Sequence, residues 1–325
     1  MAVESVQSSF LEQVKKKLPA NVSLADEIAE ILNISRDSAY RRIRGETVLS
    51  LDEAKTLCTK FGISLDSLLG IDSGIIPFQH LIVNNKPETF EHWLKSMQQN
   101  LELIENYSGS KEIVFTAKDV PVFHYFRYPE LCAFKMFFWM KSVLNYPELQ
   151  TKKFSSSLIR NELLAIGRKI AAIYNKVPSV ELWSDETTNV TLKQLEFYQE
   201  SGFFTNSSDA ATVFEQYIQM IRDIKECAAQ GYKQQDVPFS LYKNEILIAD
   251  NTVLYKMGDK KTVYISHNIT ELLMTRHETF SDQTEGFINN LQSRSVLIST
   301  TGEKERNKFF NRMEEKIEAV KKRII

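Results

Sequence analysis

One short segment of the chain is dense in arginine. Arg36, Arg41, Arg42 and Arg44 fall within nine residues, with Asp37 as the one acid among them, so the local charge is +3. A guanidinium group can bind a phosphate, and it can form a bidentate pair with guanine in the major groove of a duplex. Arginines that share one exposed helix surface are therefore candidates for binding double-stranded DNA.

Helix signals surround these arginines. Apolar residues recur at helical spacing over 24–32, and Ser23 is positioned to cap that helix. Asn33 follows, and Asn tolerates the left-handed conformation that a tight turn between helices needs. Ser35 can cap a second helix over 36–44. The sequence thus predicts two short helices joined by a tight turn.

Further helices are expected on the C-terminal side of the arginines. Gly45 suits a helix end, because glycine adopts the left-handed conformation without strain. Ser50 and Glu53 match a capping box at the start of a helix over 50–61. A short helix over 64–69 and a linker over 71–77 complete this part of the prediction.

Residues 28–45 together resemble the helix-turn-helix of the phage-repressor/Cro (XRE-like) family. Ala29 matches the small residue of the first helix, and Ile34 matches the apolar plug of the turn. The chain departs from the pattern at Asn33, where the family usually has glycine. It departs again at Arg42, which occupies the second inward apolar position of the recognition helix. The resemblance covers about 70 of the 325 residues.

The resemblance implies a lambda-repressor-like helical DNA-binding domain over 1–74, and hence a bacterial transcription regulator that binds DNA, expected as a homodimer. It places these residues in the groove: Ser35, Arg36, Ser38, Tyr40 and Arg41. It places Arg42 and Arg44 on phosphates. Residues 1–74 hold nine basic and eleven acidic residues. DNA binding therefore requires guanidinium groups concentrated on one surface, and their pairing with neighbouring carboxylates would count against it.

The remaining pattern predicts a mostly α protein with a smaller α+β part. Residues 75–235 are expected to be a mainly helical effector or dimerisation region, and 236–325 a small α+β domain that ends in a long amphipathic helix. Expected helices are 87–107, 154–176, 186–201, 208–230, 278–292 and 303–323, with one more starting at Pro129. Expected strands are 112–117, 245–249, 252–256, 262–266 and 295–299. The last four are expected to form one antiparallel sheet.

Two apolar features leave alternatives open. An aromatic cluster between Phe123 and Trp139 is either protein core or the lining of an apolar ligand pocket. The apolar stripe of the last helix packs on its own sheet, or else pairs with its symmetry mate in a dimer. The stripe consists of Phe309, Phe310, Met313, Ile317, Val320 and Ile324.

Signals of enzymatic chemistry are weak in the sequence. The five histidines are scattered, the three cysteines lie far apart, and no glycine-rich phosphate loop is found. We therefore expect no catalytic, cofactor-binding or metal-binding residues, and an enzyme fused to a DNA-binding domain is the least favoured alternative. A small-molecule or peptide effector remains open, as does a helical regulator that binds proteins or peptides while anchored to DNA.

The cellular compartment is also predicted from composition. Residues 1–18 are charged, and no apolar run reaches the length of about 20 residues that a membrane-spanning helix needs. The few, scattered cysteines fit a reducing environment. We therefore expect a cytoplasmic protein that makes no membrane contact.

Overall fold

The computed structural model describes residues 5–19, 21–63, 65, 74–234, 236–246 and 248–325. The chain divides into two compact units, Met1–Pro77 and Phe78–Ile325. Except for Leu65, the helix predicted over 64–69 lies outside the described residues, and so does the first part of the predicted linker.

The first unit contains four described helices around a small apolar core. They are α1 (Val6–Lys17), α2 (Leu24–Leu32), α3 (Arg36–Ile43) and α4 (Leu51–Phe61). Phe10, Val14, Ile28, Ala39 and Leu57 are buried together, so each of the four helices contributes to this core. The single buried side chain of α3 is Ala39, and the rest of this helix is exposed or half-buried.

The local signals around α3 are largely confirmed. Asn33 adopts the left-handed conformation, with φ 53°, and the Ile34 N–H donates to the Ala29 carbonyl, which closes the end of α2. Ser35 caps α3 by accepting from the Ser38 N–H. The capping box of Ser50 is present at the start of α4. The predicted cap at Ser23 is wrong in detail, because its side chain makes no capping hydrogen bond.

The second unit is built on one mixed eight-stranded sheet. The strands are β1 (Gln79–His80), β2 (Lys111–Ala117), β3 (Ser179–Trp183), β4 (Phe239–Lys243), β5 (Thr252–Met257), β6 (Lys260–Ser266), β7 (Leu272–Thr275) and β8 (Val296–Leu297). Their order is β1-β7-β6-β5-β2-β3-β4-β8. The central strands β2, β3 and β4 are parallel to one another, and every other neighbouring pair is antiparallel.

Helices cover both faces of this sheet. They are α5 (Pro87–Glu105), α6 (Val122–Tyr125), α7 (Pro129–Phe138), α8 (Asn161–Tyr174), α9 (Asn189–Glu200), α10 (Ser207–Gln230), α11 (Glu278–Ser293) and α12 (Glu303–Ile324). A π-helical turn over Trp139–Val143 extends α7. On one face, Ile288 and Leu291 of α11 pack against the sheet, while the larger core, with the other helices, lies on the opposite face. Among the described helices, none is long and apolar enough to span a bilayer.

The sheet differs from the predicted four-stranded antiparallel one. Strands β1, β3, β4 and β7 were not predicted, and the described part of 245–249 lies outside any strand. The segment of β3 contains Glu181, a charged residue that interrupts the apolar pattern typical of a buried strand. In the structure Glu181 is nevertheless fully buried. The sequence placed a boundary near residue 235, yet β3 pairs with β4 across it, so 78–325 forms one unit.

The last helix packs within its own unit. Phe309, Phe310, Met313 and Ile317 of α12 are all buried in the main core. Helix α12 contacts α9 and α10, so the stripe lies against helices of its own chain. The sequence predicted packing either on the chain's own sheet or on a symmetry mate in a dimer. The side chain of Ile324 lies outside the described atoms.

Candidate functional site

Helix α3 turns an almost entirely polar surface outward. Arg36, Tyr40, Arg41 and Arg44 are exposed, whereas Ala39 faces the core. Tyr40 keeps 41% of its surface exposed, and the Arg36 guanidinium lies 5.8 Å from the centre of its ring. The structure therefore brings these four predicted DNA-binding residues to one exposed surface, which we call the α3 face.

Two of the predicted groove residues, Ser35 and Ser38, form the N-terminal cap of α3. The Ser35 Oγ accepts a hydrogen bond from the Ser38 N–H at 3.2 Å and donates to the Ser38 Oγ at 2.9 Å. Ser35 is exposed and Ser38 is half-buried. The Ser35 hydroxyl donates in this bond and must exchange its partner before it can donate to a phosphate, whereas the Ser38 hydroxyl accepts here and keeps its own O–H.

Each arginine on the α3 face is paired with a carboxylate. Arg36 Nε lies 2.8 Å from Asp26 Oδ1. Arg41 Nε lies 3.3 Å from Asp37 Oδ2, one helical turn away. Arg44 Nε lies 2.8 Å from Glu46 Oε1. Each positive charge of the α3 face is therefore neutralised by a neighbouring carboxylate. This weakens the DNA-binding hypothesis, because DNA binding requires guanidinium groups that are free to contact phosphates.

These three pairs are nevertheless exposed to solvent. The side chains of Arg36, Arg41 and Arg44 each retain more than half of their surface. Exposed ion pairs contribute about 0–1 kcal/mol, because water screens the charges and the side chains lose conformational freedom. Such pairs can be exchanged for phosphate contacts at small cost.

Arg42 is different, because its guanidinium is held inside the unit. Its Nε and Nη2 bind the two carboxylate oxygens of Glu53, at 3.1 Å and 2.7 Å, and its Nη1 donates to the Ser38 carbonyl. The hydrogen bonds from Arg42 are the main cause that lowers the pKa of Glu53 below its ordinary value. Arg42 thus links α3 to α4, and three of its five N–H donors are used within the unit, which argues against the phosphate contact that the resemblance assigned to it.

A second candidate site is a cavity of about 530 Å³ in the second unit. Its floor is one face of the sheet, where alternate residues of neighbouring strands lie side by side. Pairing in register produces a row across five strands, which we call the floor row. The floor row is Phe115, Val253, Tyr264, Met274 and Gln79.

Helices supply the opposite wall of the cavity. Trp93, Ser96, Met97 and Asn100 follow the spacing of one face of α5, and all four line the cavity. Trp139, from the π-helical turn, meets Trp93 edge to face, with ring centres 5.8 Å apart. The aromatic cluster predicted from the sequence is therefore both core and cavity lining: its members are buried, and Phe123, Tyr125 and Trp139 also face the cavity.

A buried ion pair borders the cavity. Lys135 is 1% exposed, and its Nζ lies 3.1 Å from Asp119 Oδ2, while Asp119 Oδ1 accepts a hydrogen bond from the Tyr125 hydroxyl at 2.8 Å. Burial lowers the pKa of Lys135, and Asp119 partly offsets that effect. Sequence reasoning missed this pair, since nothing in the spacing of Asp119 and Lys135 indicates that they meet.

Another cluster of titratable side chains lies in the core of the second unit. Glu181 Oε1 lies 2.8 Å from His124 Nε2 and accepts from the Tyr174 hydroxyl, while Oε2 accepts from Trp183 Nε1. Burial raises the pKa of Glu181, but the charge and hydrogen bonds of His124 and Tyr174 outweigh burial and lower it. Burial also lowers the pKa of nearby Lys233 to about 7.

This cluster has the character of a structural network. Glu181 is fully buried, and its carboxylate oxygens are occupied by protein donors. In the described part of the chain, no group of three or more His, Cys, Asp or Glu side chains could hold a metal ion.

Comparison with known proteins finds a family model that is similar to the N-terminal part of the chain. Residues 6–95 match the BetR domain. No curated protein and no solved structure shows significant similarity to the chain. The match overturns the phage-repressor/Cro resemblance, because the model that matches the α2–α3 segment is a different one. It covers 90 of the 325 residues and indicates a regulatory role for the protein.

Proposed function

We propose that this protein is a sequence-specific DNA-binding transcription regulator, in which α2 and α3 act as a helix-turn-helix. The α3 face would enter the major groove, where Arg36 and Arg41 read base edges and Arg44 binds a phosphate. Arg42 is left out of the proposed contacts, because it binds Glu53.

The α3 face is the observation that carries this proposal. A helix of eight residues presents Arg36, Tyr40 and Arg41 outward and buries only Ala39. Side chains of these types are common in base and phosphate contacts. The BetR match over the same segment supports a regulatory role independently of the arginines.

The ion pairs on the α3 face set a measurable requirement. Asp26 and Asp37 must release their arginines, or share them, when phosphates approach. Each phosphate contact releases counterions, so binding should weaken steeply as the salt concentration rises. The exposed ion pairs should therefore reduce the affinity for DNA by a small amount.

Loss of charge on the α3 face tests the proposal directly. A duplex that the full chain binds is first selected from a random library, and its affinity is then measured by gel shift. Combined Arg36→Ala and Arg41→Ala changes should weaken binding by at least tenfold, since each bidentate contact contributes about 1–3 kcal/mol. Arg294→Ala removes one exposed positive charge from the second unit and serves as the control.

The opposite change gives a sharper test, because it should increase affinity. Asp26→Asn and Asp37→Asn remove the carboxylates that hold Arg36 and Arg41. Each variant should bind the selected duplex more tightly at low salt, and the gain should shrink as salt is added. Failure to select any duplex, or unchanged affinity in all these variants, contradicts the assignment of the α3 face.

We also propose that the regulator acts as a cytoplasmic homodimer. One α3 reads only a few base pairs, and two-fold related copies can read two half-sites. Phe309, Phe310, Met313 and Ile317 of the α12 stripe are buried in their own chain, so the dimer is proposed to form through another surface. Sedimentation of the free chain and of its DNA complex tests this: a monomer in both contradicts the proposal.

The second unit is proposed to respond to an effector. The sequence left a small molecule and a peptide as alternatives, and the aromatic cavity favours the small molecule. A protein- or peptide-binding regulator remains the second candidate function, and it would use an exposed surface of the same unit.

A further inference from the structure

The cavity in the second unit has the size and lining of a small-molecule site. Its volume of about 530 Å³ lies within the range of 300–1,000 Å³ typical of such sites. Seven aromatic side chains contribute to its walls. They are Trp93, Phe115, Phe123, Tyr125, Trp139, Tyr255 and Tyr264.

The shape of the lining favours a planar ligand. The floor row lies on a β-sheet, which offers a broad surface, and Tyr255 packs beside Tyr264 with ring centres 5.0 Å apart. Trp93 and Trp139 face this floor from the helical side. A flat apolar body between the two surfaces can stack on aromatic rings on both sides.

The charges around the cavity favour an uncharged ligand. Asp119 already binds Lys135 and Tyr125, so the buried part of the lining presents a neutralised pair. Lys118 and Asp250 also line the cavity, but they have opposite signs and are exposed. An ion placed deep in this cavity would lose hydration without gaining a partner, which is strongly unfavourable.

One wall residue has an unused hydrogen-bond donor. Trp139 is 4% exposed, and its Nε1–H has no acceptor among the described residues. Buried donors are normally satisfied, and an unsatisfied one is unfavourable. This nitrogen has almost no accessible surface, so it is not available to a ligand in the cavity.

The polar part of the lining lies at the mouth. The loop over 266–270 supplies Ser266, His267 and Asn268, and the rings of His80 and His267 meet edge to face, 5.5 Å apart. Glu271 anchors this loop by accepting from the Val83 N–H and by pairing with His80 at 3.1 Å. The loop therefore holds a fixed polar rim around an apolar interior.

We infer that this cavity binds an uncharged, planar, largely aromatic small molecule. The inference concerns residues 78–325 and does not depend on DNA recognition by α3. Ligand binding is measured without DNA, so failure here and failure of the proposed function are separate results.

Prodan, an uncharged naphthalene that carries a ketone, is a suitable probe because its emission shifts to the blue and brightens when it leaves water. Titrated into the full chain, it should show saturable binding at a single site. Energy transfer from tryptophan should accompany binding, because Trp93 and Trp139 line the cavity. Anilinonaphthalene sulfonate, an anion of similar size, should bind at least tenfold more weakly.

Two pairs of matched variants locate the probe. Met97→Trp narrows the cavity and should weaken saturable binding, while Leu103→Trp places the same side chain at an exposed position of the same helix and should not. Trp139→Phe and Trp93→Phe each replace a large aromatic ring of the wall by a smaller one. Both changes should weaken binding.

Several results would overturn the inference. Absence of saturable binding to the wild-type chain would do so, and so would equal binding by the Met97→Trp and Leu103→Trp variants. Tighter binding of the anion would contradict the uncharged ligand, and unchanged binding by both Trp→Phe variants would contradict a ligand that contacts this wall. If the Met97→Trp chain fails to fold, energy transfer in the Trp93→Phe and Trp139→Phe chains still locates the probe.

Discussion

At the scale of single residues, the four arginines of one short segment have two different roles. Arg36, Arg41 and Arg44 are exposed and pair with exposed carboxylates. Arg42 keeps only 15% of its side chain exposed and binds both oxygens of Glu53. Residue type is the same in all four, so the difference comes from the direction in which each side chain leaves α3.

The Arg42–Glu53 pair leads to a prediction about stability and pH. Its hydrogen bonds lower the folded-state pKa of Glu53, so the pair stabilises the fold above the ordinary carboxyl pKa, and this contribution is lost as the pH falls through the lowered value. Arg42→Ala should destabilise the first unit by about 1–3 kcal/mol at neutral pH. The difference from the wild type should shrink below about pH 4.

Urea unfolding of the full chain can measure this effect. All three tryptophans lie in the second unit, so a loss of helical circular dichroism without a change in tryptophan fluorescence reports on the first unit. Arg44→Ala breaks an exposed pair and should change stability by less than about 0.5 kcal/mol. Equal effects of the two substitutions, or a difference independent of pH, would contradict a structural role for Arg42.

At the scale of elements, helix α12 illustrates how one pattern allows two packings. Its apolar stripe fits a dimer seam as well as an intrachain core, since either partner buries the same side chains. In the structure, Phe310 is fully buried and α12 packs against α9 and α10. The helix is therefore part of the second unit's own core.

This placement predicts a large loss of stability from a single truncation. Phe310→Ala should destabilise the second unit by about 3–5 kcal/mol, because it removes a buried ring and leaves a cavity. Glu315→Ala, at an exposed position of the same helix, should stay within about 0.5 kcal/mol of the wild type. Urea unfolding followed by tryptophan fluorescence measures both. A stable Phe310→Ala chain that loses only its dimer would assign the stripe to an interface after all.

At the scale of the whole molecule, one sheet contains strands from both 75–235 and 236–325, which were predicted to be separate domains. Strands β2 and β3 come before residue 235, and their neighbours β4 and β5 come after it. A cut at 235 would expose both long edges of the β2–β3 pair. Two strands alone are at best marginally stable in water.

Two fragments test this organisation. Residues 78–325 contain all eight strands and should unfold in one cooperative transition. Residues 75–235 should show no cooperative thermal transition by circular dichroism or tryptophan fluorescence. A cooperative transition in the shorter fragment would restore the boundary near residue 235.

Local structure was determined largely by the sequence itself. The left-handed Asn33, the Ser35 cap, the Ser50 capping box and the start of α7 at Pro129 all follow from side chains that act on their own backbone within a few residues. Long amphipathic helices such as α5 were predictable for a similar reason, because a period of 3.6 residues is visible in one continuous segment.

Only the tertiary structure decided which distant residues meet. The floor row joins side chains from β1, β2, β5, β6 and β7, and strand β3 is stabilised around Glu181 by His124 and Tyr174. The carboxylates opposite Arg36 and Arg42 come from α2 and α4. Such contacts depend on strand order and helix packing, which carry no periodic signal in the sequence, so the cavity and the partners of Arg36 and Arg42 could not be deduced from it.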